Sequence, residues 1–210
     1  MFLHTGSDRI LLYSDREYIL PFKDIDQTLS TLLVQEYKKS APDLMYVTTG
    51  PWSFTNLRVW ILTMNMLRTF GDAKIMFLET NKIDLYIHLY EDNHIPRYIL
   101  LYIGQRKNIR RYDLQTQTHI VLRPESLDDI TTYALWADLT QSDYTIDNLV
   151  GDDFSFLHQA QNMISYGYEN SKPCIWIGDD DKIVDTSSYF TMSEQLLTPR
   201  YGIGPNLGDR

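Results

Sequence analysis

The sequence predicts an α/β protein with mixed sheets flanked by helices, on three observations. The first 22 residues divide into short apolar runs separated by tight turns. From about 25 to 78, helix-like and strand-like segments alternate, and after a polar break at Glu91-Asp92-Asn93-His94 and Pro96 the alternation resumes. Strands that alternate with helices after an antiparallel opening build a sheet covered by helices. Two small α/β domains, divided as 1–92 and 93–210, or one bilobed domain are the expected organisation.

The opening runs are Phe2-Leu3, Ile10-Leu11-Leu12-Tyr13 and Tyr18-Ile19-Leu20. Gly6-Ser7-Asp8 and Ser14-Asp15 separate them, residue types that turn a chain through permissive backbones and local side-chain bonds. Ile25, Leu29, Leu32, Leu33 and Tyr37 then recur at helical spacing, with Asp24 or Asp26 able to cap the start. Lys38-Lys39 suits the negative end of that helix, and Ala41-Pro42 stops it. Leu44 to Val47 reads as a buried strand, 53–70 as a long apolar helix ended by Gly71-Asp72, and Ile75 to Leu78 as the next strand.

In the second half, 98–103 and a return run ending near Tyr112 read as strands, and 118–122 extends the sheet. Pro124-Glu125-Ser126 opens an expected helix carrying Leu127, Ile130, Tyr133, Ala134 and Ala137. Asn148 to Asp152 closes a short strand, 154–164 reads as helix, and 173–177 and 182–184 flank a Gly178-Asp179-Asp180-Asp181 turn. The chain carries no internal repeat and no low-complexity segment.

Composition narrows the function classes. Hydrophobic residues make up 43% and charged residues 22%, the balance of a globular protein rather than a disordered one. Nineteen Lys+Arg against 28 Asp+Glu leave a net charge of −9, which argues against the chain gripping nucleic acid alone. The single Cys174 excludes an internal disulfide framework and fits a reducing cytoplasm. No apolar run reaches the ~20 residues a membrane helix needs. A cytoplasmic protein without a membrane partner is the expectation.

Chemistry-bearing patterns are sparse. The five histidines (His4, His88, His94, His119 and His158) form no H-x-x-x-H or H-E-x-x-H pair, so no metal site is expected. Both Gly-rich phosphate loops and the G-x-S-x-G nucleophile elbow are absent. Weaker phosphate-loop candidates are His4-Thr5-Gly6-Ser7, Thr49 to Ser53, and Gly178 to Asp181, each of which also reads as a plain turn. Cys174 lies in an apolar strand, where a thiol is ordinary packing. No catalytic residue and no cofactor are expected of this chain by itself.

The one sharp pattern is Gly50-Pro51-Trp52-Ser53-Phe54-Thr55-Asn56-Leu57-Arg58-Val59-Trp60. It follows a buried strand and opens a helix, so its turn is tight and Ser53 or Thr55 can satisfy free helix N–H groups. The helix carries two apolar stripes, one of Phe54, Leu57, Ile61 and Met64, the other of Val59, Leu62, Met66 and Phe70. A surface helix needs one stripe for the core, so the second either packs on a neighbour or docks a partner. Spacing does not decide which stripe faces outward.

At this motif the chain resembles the TsaB (YeaZ) family, whose members carry a strand ending G-x-G-P-G-S-F-T-G-L-R-[IV]-G before an apolar helix. Gly50-Pro51, Ser53-Phe54-Thr55, Leu57-Arg58 and Val59 match, and strong resemblance covers about 42–78. Val150-Gly151-Asp152 and Pro199-Arg200-Tyr201 add weaker likeness. His4 stands where the family usually has Asp, and Trp52, Asn56 and Trp60 replace glycines.

The resemblance implies a two-lobed actin/Hsp70/sugar-kinase (RNase-H-like) fold without a working ATPase. It also implies a non-catalytic subunit that supports a TsaD-type catalytic subunit in tRNA threonylcarbamoyladenosine modification. A TsaE-type ATPase would be recruited through the complex, a homodimer would use the same helices, and tRNA would be contacted only indirectly. ATP or ADP would be bound within the complex if anywhere. Carried onto this chain, the partner face is helices 25–39 and 53–70, with Leu29, Leu32, Leu33, Phe54, Leu57, Arg58, Ile61 and Met64 as its residues. The alternatives are a divergent nucleotide-dependent kinase or hydrolase of the same fold, and a paralogue that has lost the partner.

Overall fold

The apolar runs at the start of the chain form a three-stranded antiparallel meander: β1 (Phe2–Thr5), β2 (Arg9–Tyr13) and β3 (Glu17–Pro21). The structure, a computed structural model, describes residues 1–5, 9–21, 25–40, 42–50, 54–71, 75–102, 109–121, 134–136, 164–178 and 182–199. α1 (Ile25–Ser40) then returns the chain to β4 (Leu44–Thr48), which pairs parallel with β1. α2 (Phe54–Phe70) leads to β5 (Met76–Thr80), parallel to β4, so β4, α2 and β5 make a βαβ unit.

Period-two and helical signals coincide in α3 (Lys82–Glu91), an element the sequence reading leaves unassigned. Ile83, Leu85, Ile87 and Leu89 alternate as in a strand. Burial follows the helical face instead, through Lys82, Leu85, Tyr86 and Leu89 with Ile83 beside them. Asn81 caps the start by accepting the Ile83 N–H at 2.8 Å.

Beyond it lie β6 (Tyr98–Tyr102), β7 (Ile109–Asp113) and β8 (Thr118–Val121), paired antiparallel in that order. The Asp113 carboxylate accepts the Gln115 and Thr116 N–H groups in the β7–β8 turn and holds Arg97 at 2.6 Å. β9 (Ala134–Trp136) pairs parallel with β6. This corrects the helix expected to run through Ala134: the open edge of β6 captures a short apolar run, and tertiary pairing outweighs local periodicity. The expected strand at 148–152 and most of the helix at 154–164 lie outside the described residues.

β10 (Ile164–Glu169), β11 (Lys172–Ile177) and β12 (Lys182–Asp185) form a third, antiparallel sheet. Ile164 is thus the first residue of a strand, not the end of a helix. Asn170 and Ser171 both take positive φ (50° and 63°), the geometry of a two-residue hairpin turn. Gly167 sits inside β10, opposite Cys174, where a Cβ would stand 3.1 Å from Cys174 Sγ and 3.3 Å from the Trp176 ring. Burial pushes the Cys174 thiol up to about 11, in keeping with its reading as packing.

The six-stranded sheet has the order β13-β5-β4-β1-β2-β3, where β13 (Thr191–Met192) pairs antiparallel with β5. The C-terminal segment therefore crosses the 92/93 division and rejoins the first sheet. After β13 it lies along α2. Arg68 donates to the carbonyls of Ser193, Glu194 and Gln195, and the Asn65 amide holds both the N–H and the C=O of Leu197 at 2.9 Å.

Two apolar cores flank this sheet. One holds Leu3, Ile10, Leu12, Met45, Val47 and Phe77 under α1 and α2; the other holds Phe2, Leu11, Tyr13 and Tyr46 against α3 and the two smaller sheets. The alternation along each strand sends successive side chains to opposite cores. Among the described residues Trp60 is the largest fully buried side chain, and its indole N–H has no hydrogen-bond partner among them. No helix among the described residues is long and apolar enough to cross a membrane.

Candidate partner-binding face

α1 and α2 lie side by side over one face of the large sheet, and their inward stripes seal the core. On α1 these are Ile25, Leu29 and Leu33; on α2 they are Leu57, Trp60, Ile61 and Met64, all buried against β-strand side chains. α1 is pinned from the sheet side by Glu36, which is 5% exposed and accepts from Ser14 Oγ at 2.5 Å and Tyr18 OH at 2.6 Å. Those two bonds hold its carboxyl below the usual carboxylate range.

Apolar residues also cover the outward side. Leu62, Met66 and Phe70, spaced four apart on α2, are 61%, 51% and 79% exposed, and Val34 of α1 is 41% exposed. Residues at i, i+4 and i+8 line one flank of a helix, so they form a stripe rather than scattered points. The hydroxyls of Thr63 and Thr69 donate within the helix to the carbonyls of Val59 and Asn65, at 2.9 and 2.7 Å, and offer little to solvent. Between the helices runs a groove of about 330 Å³, lined by Leu33, Val34, Tyr37, Met66, Leu67 and Phe70 among others. This apolar groove and stripe together make the candidate docking surface of the two helices.

Of the eight residues assigned to the partner face, Leu29, Leu33, Leu57, Ile61 and Met64 are buried against the sheet. Leu32 is half-buried, Arg58 is exposed, and the Phe54 side chain is not among those described. The helices assigned to the face do present an apolar exterior. It is made by the second stripe, with Leu62, Met66 and Phe70. The alternating burial pattern of the strands beneath α2 carries no signal for this choice, because both stripes are apolar and only the three-dimensional path of α2 orients them.

Within the Gly50–Trp60 motif, Gly50 takes a φ of 138°, a region that favours glycine, and its carbonyl accepts the Lys82 N–H at 2.8 Å. The turn thereby ties the end of β4 to the start of α3. Pro51, Trp52 and Ser53 lie outside the described residues, as does the side chain of Thr55.

A polar cluster fills the carboxyl ends of β1, β4 and β5, the edge at which open α/β sheets hold ligands. Lys82 is buried there; its Nζ donates to the Thr5 carbonyl and lies 5.8 Å from the Tyr166 ring centre. His4, fully buried, stacks on Tyr166 with ring centres 3.6 Å apart, and its Nδ1 is 3.3 Å from Thr48 Oγ1. Tyr86 and Tyr166 hydroxyls bond each other, and Tyr13 OH donates to the Tyr166 carbonyl at 2.8 Å. The cluster thus joins the large sheet to β10. The sequence motifs single out His4 but not Lys82; the Asn81-x-x-Asp84 capping pattern is the signal that sets Lys82 in the first turn of a helix.

Among the described residues no group of three or more His, Cys, Asp or Glu side chains could hold a metal ion. Gly6, Ser7 and the Asp179–Asp181 tip lie outside the described residues.

No family model and no curated protein matches the chain. Among solved structures the chain is similar to YeaZ from Pseudomonas aeruginosa, with 18% identity and a TM-score of 0.39, over 64% of this chain and 75% of that one. It is also similar to an uncharacterized protein with similarity to peptidase YeaZ from the same organism, with 16% identity and a TM-score of 0.38, over 64% and 74% of the two chains.

Proposed function

We propose that this chain is a non-catalytic partner subunit whose working surface is the outer face of α1 and α2. On this reading it supports a TsaD-type catalytic subunit in tRNA threonylcarbamoyladenosine modification. The observation that carries the first part is the exposed stripe of Leu62, Met66 and Phe70 beside the interhelical groove. Keeping that stripe in water is unfavourable, at about 25 cal/mol per Å² of apolar surface, so covering it favours association. The motif from Gly50 to Val59 supports the choice of partner, since it resembles the TsaB signature and opens the helix that carries the stripe. The mixed sheet with helices on both faces is in keeping with the actin/Hsp70/sugar-kinase type of fold. A net charge of −9 is in keeping with tRNA being held by the partner.

The test is light scattering of the purified chain, alone and mixed with the catalytic subunit encoded in the same genome. A stable mixed complex, required for threonylcarbamoyl transfer in a reconstituted reaction, is the expected result. A chain that ignores that subunit, or a reaction that runs as fast without it, overturns the proposal.

A further inference from the structure

We infer that the cavity between the β2–β3 turn and the β10–β11 hairpin binds a guanidinium group, the head of an arginine. Trp176 would stack on it, and Glu17 and Glu169 would pair with its charge. No residue of α1 or α2 lines the cavity, and the inference stands apart from the partner reading above. The cavity holds about 260 Å³, below the ~300–1,000 Å³ of a typical cofactor pocket. It therefore suits one side chain or a small organic ion rather than a nucleotide. The turn from Ser14 to Glu17 makes one wall, and Gly167, Tyr168, Glu169 and Trp176 make the other.

The packing of β10 and β11 sets the aromatic wall in advance. A Cβ on Gly167 would stand 3.3 Å from the Trp176 ring, so the indole packs directly on the β10 backbone. Trp176 nonetheless stays half-buried and lines the cavity. The Tyr168 ring beside it stacks on Phe2, with centres 6.3 Å apart. Rings already held by their neighbours lose little freedom when a ligand arrives. The charges around the cavity leave two carboxylates for that ligand. Asp15 is taken by Lys39 at 2.5 Å, and the Arg16 guanidinium lies 4.6 Å from the centre of the Tyr18 ring. Lys172, opposite Glu169 in the hairpin, pairs instead with Asp185 at 2.7 Å. Glu17 and Glu169 are exposed, and neither has a cation paired with it among the described residues. A guanidinium answers both walls at once, because its plane stacks on an aromatic ring and its fork of N–H donors fits carboxylates. An ammonium supplies the charge without the plane.

The test titrates the full chain with N-acetyl-arginine amide, followed by calorimetry, and repeats it with the citrulline and lysine analogues. Citrulline keeps the shape of the arginine side chain and lacks its charge. Arginine should bind at least about tenfold tighter than citrulline at low salt, with the gap narrowing as ionic strength rises. It should also bind more tightly than lysine. Glu17→Gln and Glu169→Gln should each weaken arginine about threefold to tenfold, and the double variant more. Trp176→Leu should weaken it about tenfold, with Trp176→Phe retaining part of the affinity. Both glutamates are exposed, so their variants keep the fold and decide the question even if Trp176→Leu does not; circular dichroism checks each one.

Free L-arginine and an Ala-Arg-Ala peptide with blocked ends separate the two sources of the group. Tighter binding of the peptide assigns the cavity to an arginine of a polypeptide, and tighter binding of the free amino acid assigns it to a metabolite; either supports the site. The inference is overturned if arginine amide fails to saturate by about 10 mM, a concentration at which binding is weaker than about 3 kcal/mol. Equal binding of citrulline or lysine overturns it as well, as does arginine binding that the double glutamate variant leaves unchanged. None of these outcomes touches association through the outer face of α1 and α2.

Discussion

Ile61 and Leu62 are neighbours on α2 and should respond oppositely to the same change. Ile61 is 3% exposed and packed over the sheet, whereas Leu62 is 61% exposed. Ile61→Arg forfeits about 1.5–3 kcal/mol of side-chain burial. It also leaves an unpaired charge in the core, a defect of about 3–5 kcal/mol. Partial escape of the long side chain toward water offsets some of this. A net loss above about 4 kcal/mol is expected, enough to unfold much of a domain whose total stability is about 5–15 kcal/mol. Leu62→Arg removes little buried area and exchanges two good helix formers, so stability should hold to about 0.5 kcal/mol while association is lost. Urea titration followed by circular dichroism reads stability, and light scattering with the catalytic subunit reads association. A stable Ile61→Arg protein that merely fails to associate would refute the orientation given to α2, as would a Leu62→Arg protein destabilised by more than about 2 kcal/mol.

Three other outcomes follow from the packing. Trp60→Phe should cost under about 2 kcal/mol because it also removes a buried, unpartnered N–H, while Trp60→Gly should cost more than about 4 kcal/mol; denaturant midpoints compare them. Asn65→Ala should free the segment around Leu197 from α2, which limited proteolysis would detect as new cleavage between 193 and 199 with the core intact. The carboxyls of Glu36 and Asp113 both lie below their ordinary range, through Ser14 and Tyr18 in one case and Arg97 in the other. Their contribution is therefore complete at neutral pH and is lost as pH falls below about 4 through the depressed values. Urea midpoints should drop on acidification in the native chain, and less steeply in Glu36→Gln.

Much of the first sheet was legible in the residues. Short aromatic and β-branched runs between turn-forming residues mark β1 to β3, and one clean apolar stripe with a basic last turn marks α1. α3 escaped because Ile83, Leu85, Ile87 and Leu89 imitate a strand while the buried face also recruits Lys82 and Tyr86. β9 escaped because its short apolar run sits at the end of a helix-like stretch, and only an open neighbouring edge makes it a strand. β10 carries a glycine at its centre, which the sequence presents as a weakness and the packing of Cys174 and Trp176 explains. The helices of the candidate face were legible for the same reason its orientation was not. α2 is apolar on both sides, so the pattern identifies a doubly covered helix without telling core from exterior.

Methionine oxidation tests the central claim most directly, because α2 offers an exposed probe and a buried one two residues apart. Met66 is 51% exposed on the outer stripe, Met64 is fully buried, and Met192, on the edge strand β13, is 59% exposed. Brief peroxide treatment of the free chain should oxidise Met66 and Met192 and spare Met64, since susceptibility follows exposure. In the mixed complex Met66 should be protected while Met192 reacts as before. Oxidation of Met66 at its free-chain rate in a saturated complex would contradict the account, because the partner would then be bound somewhere else.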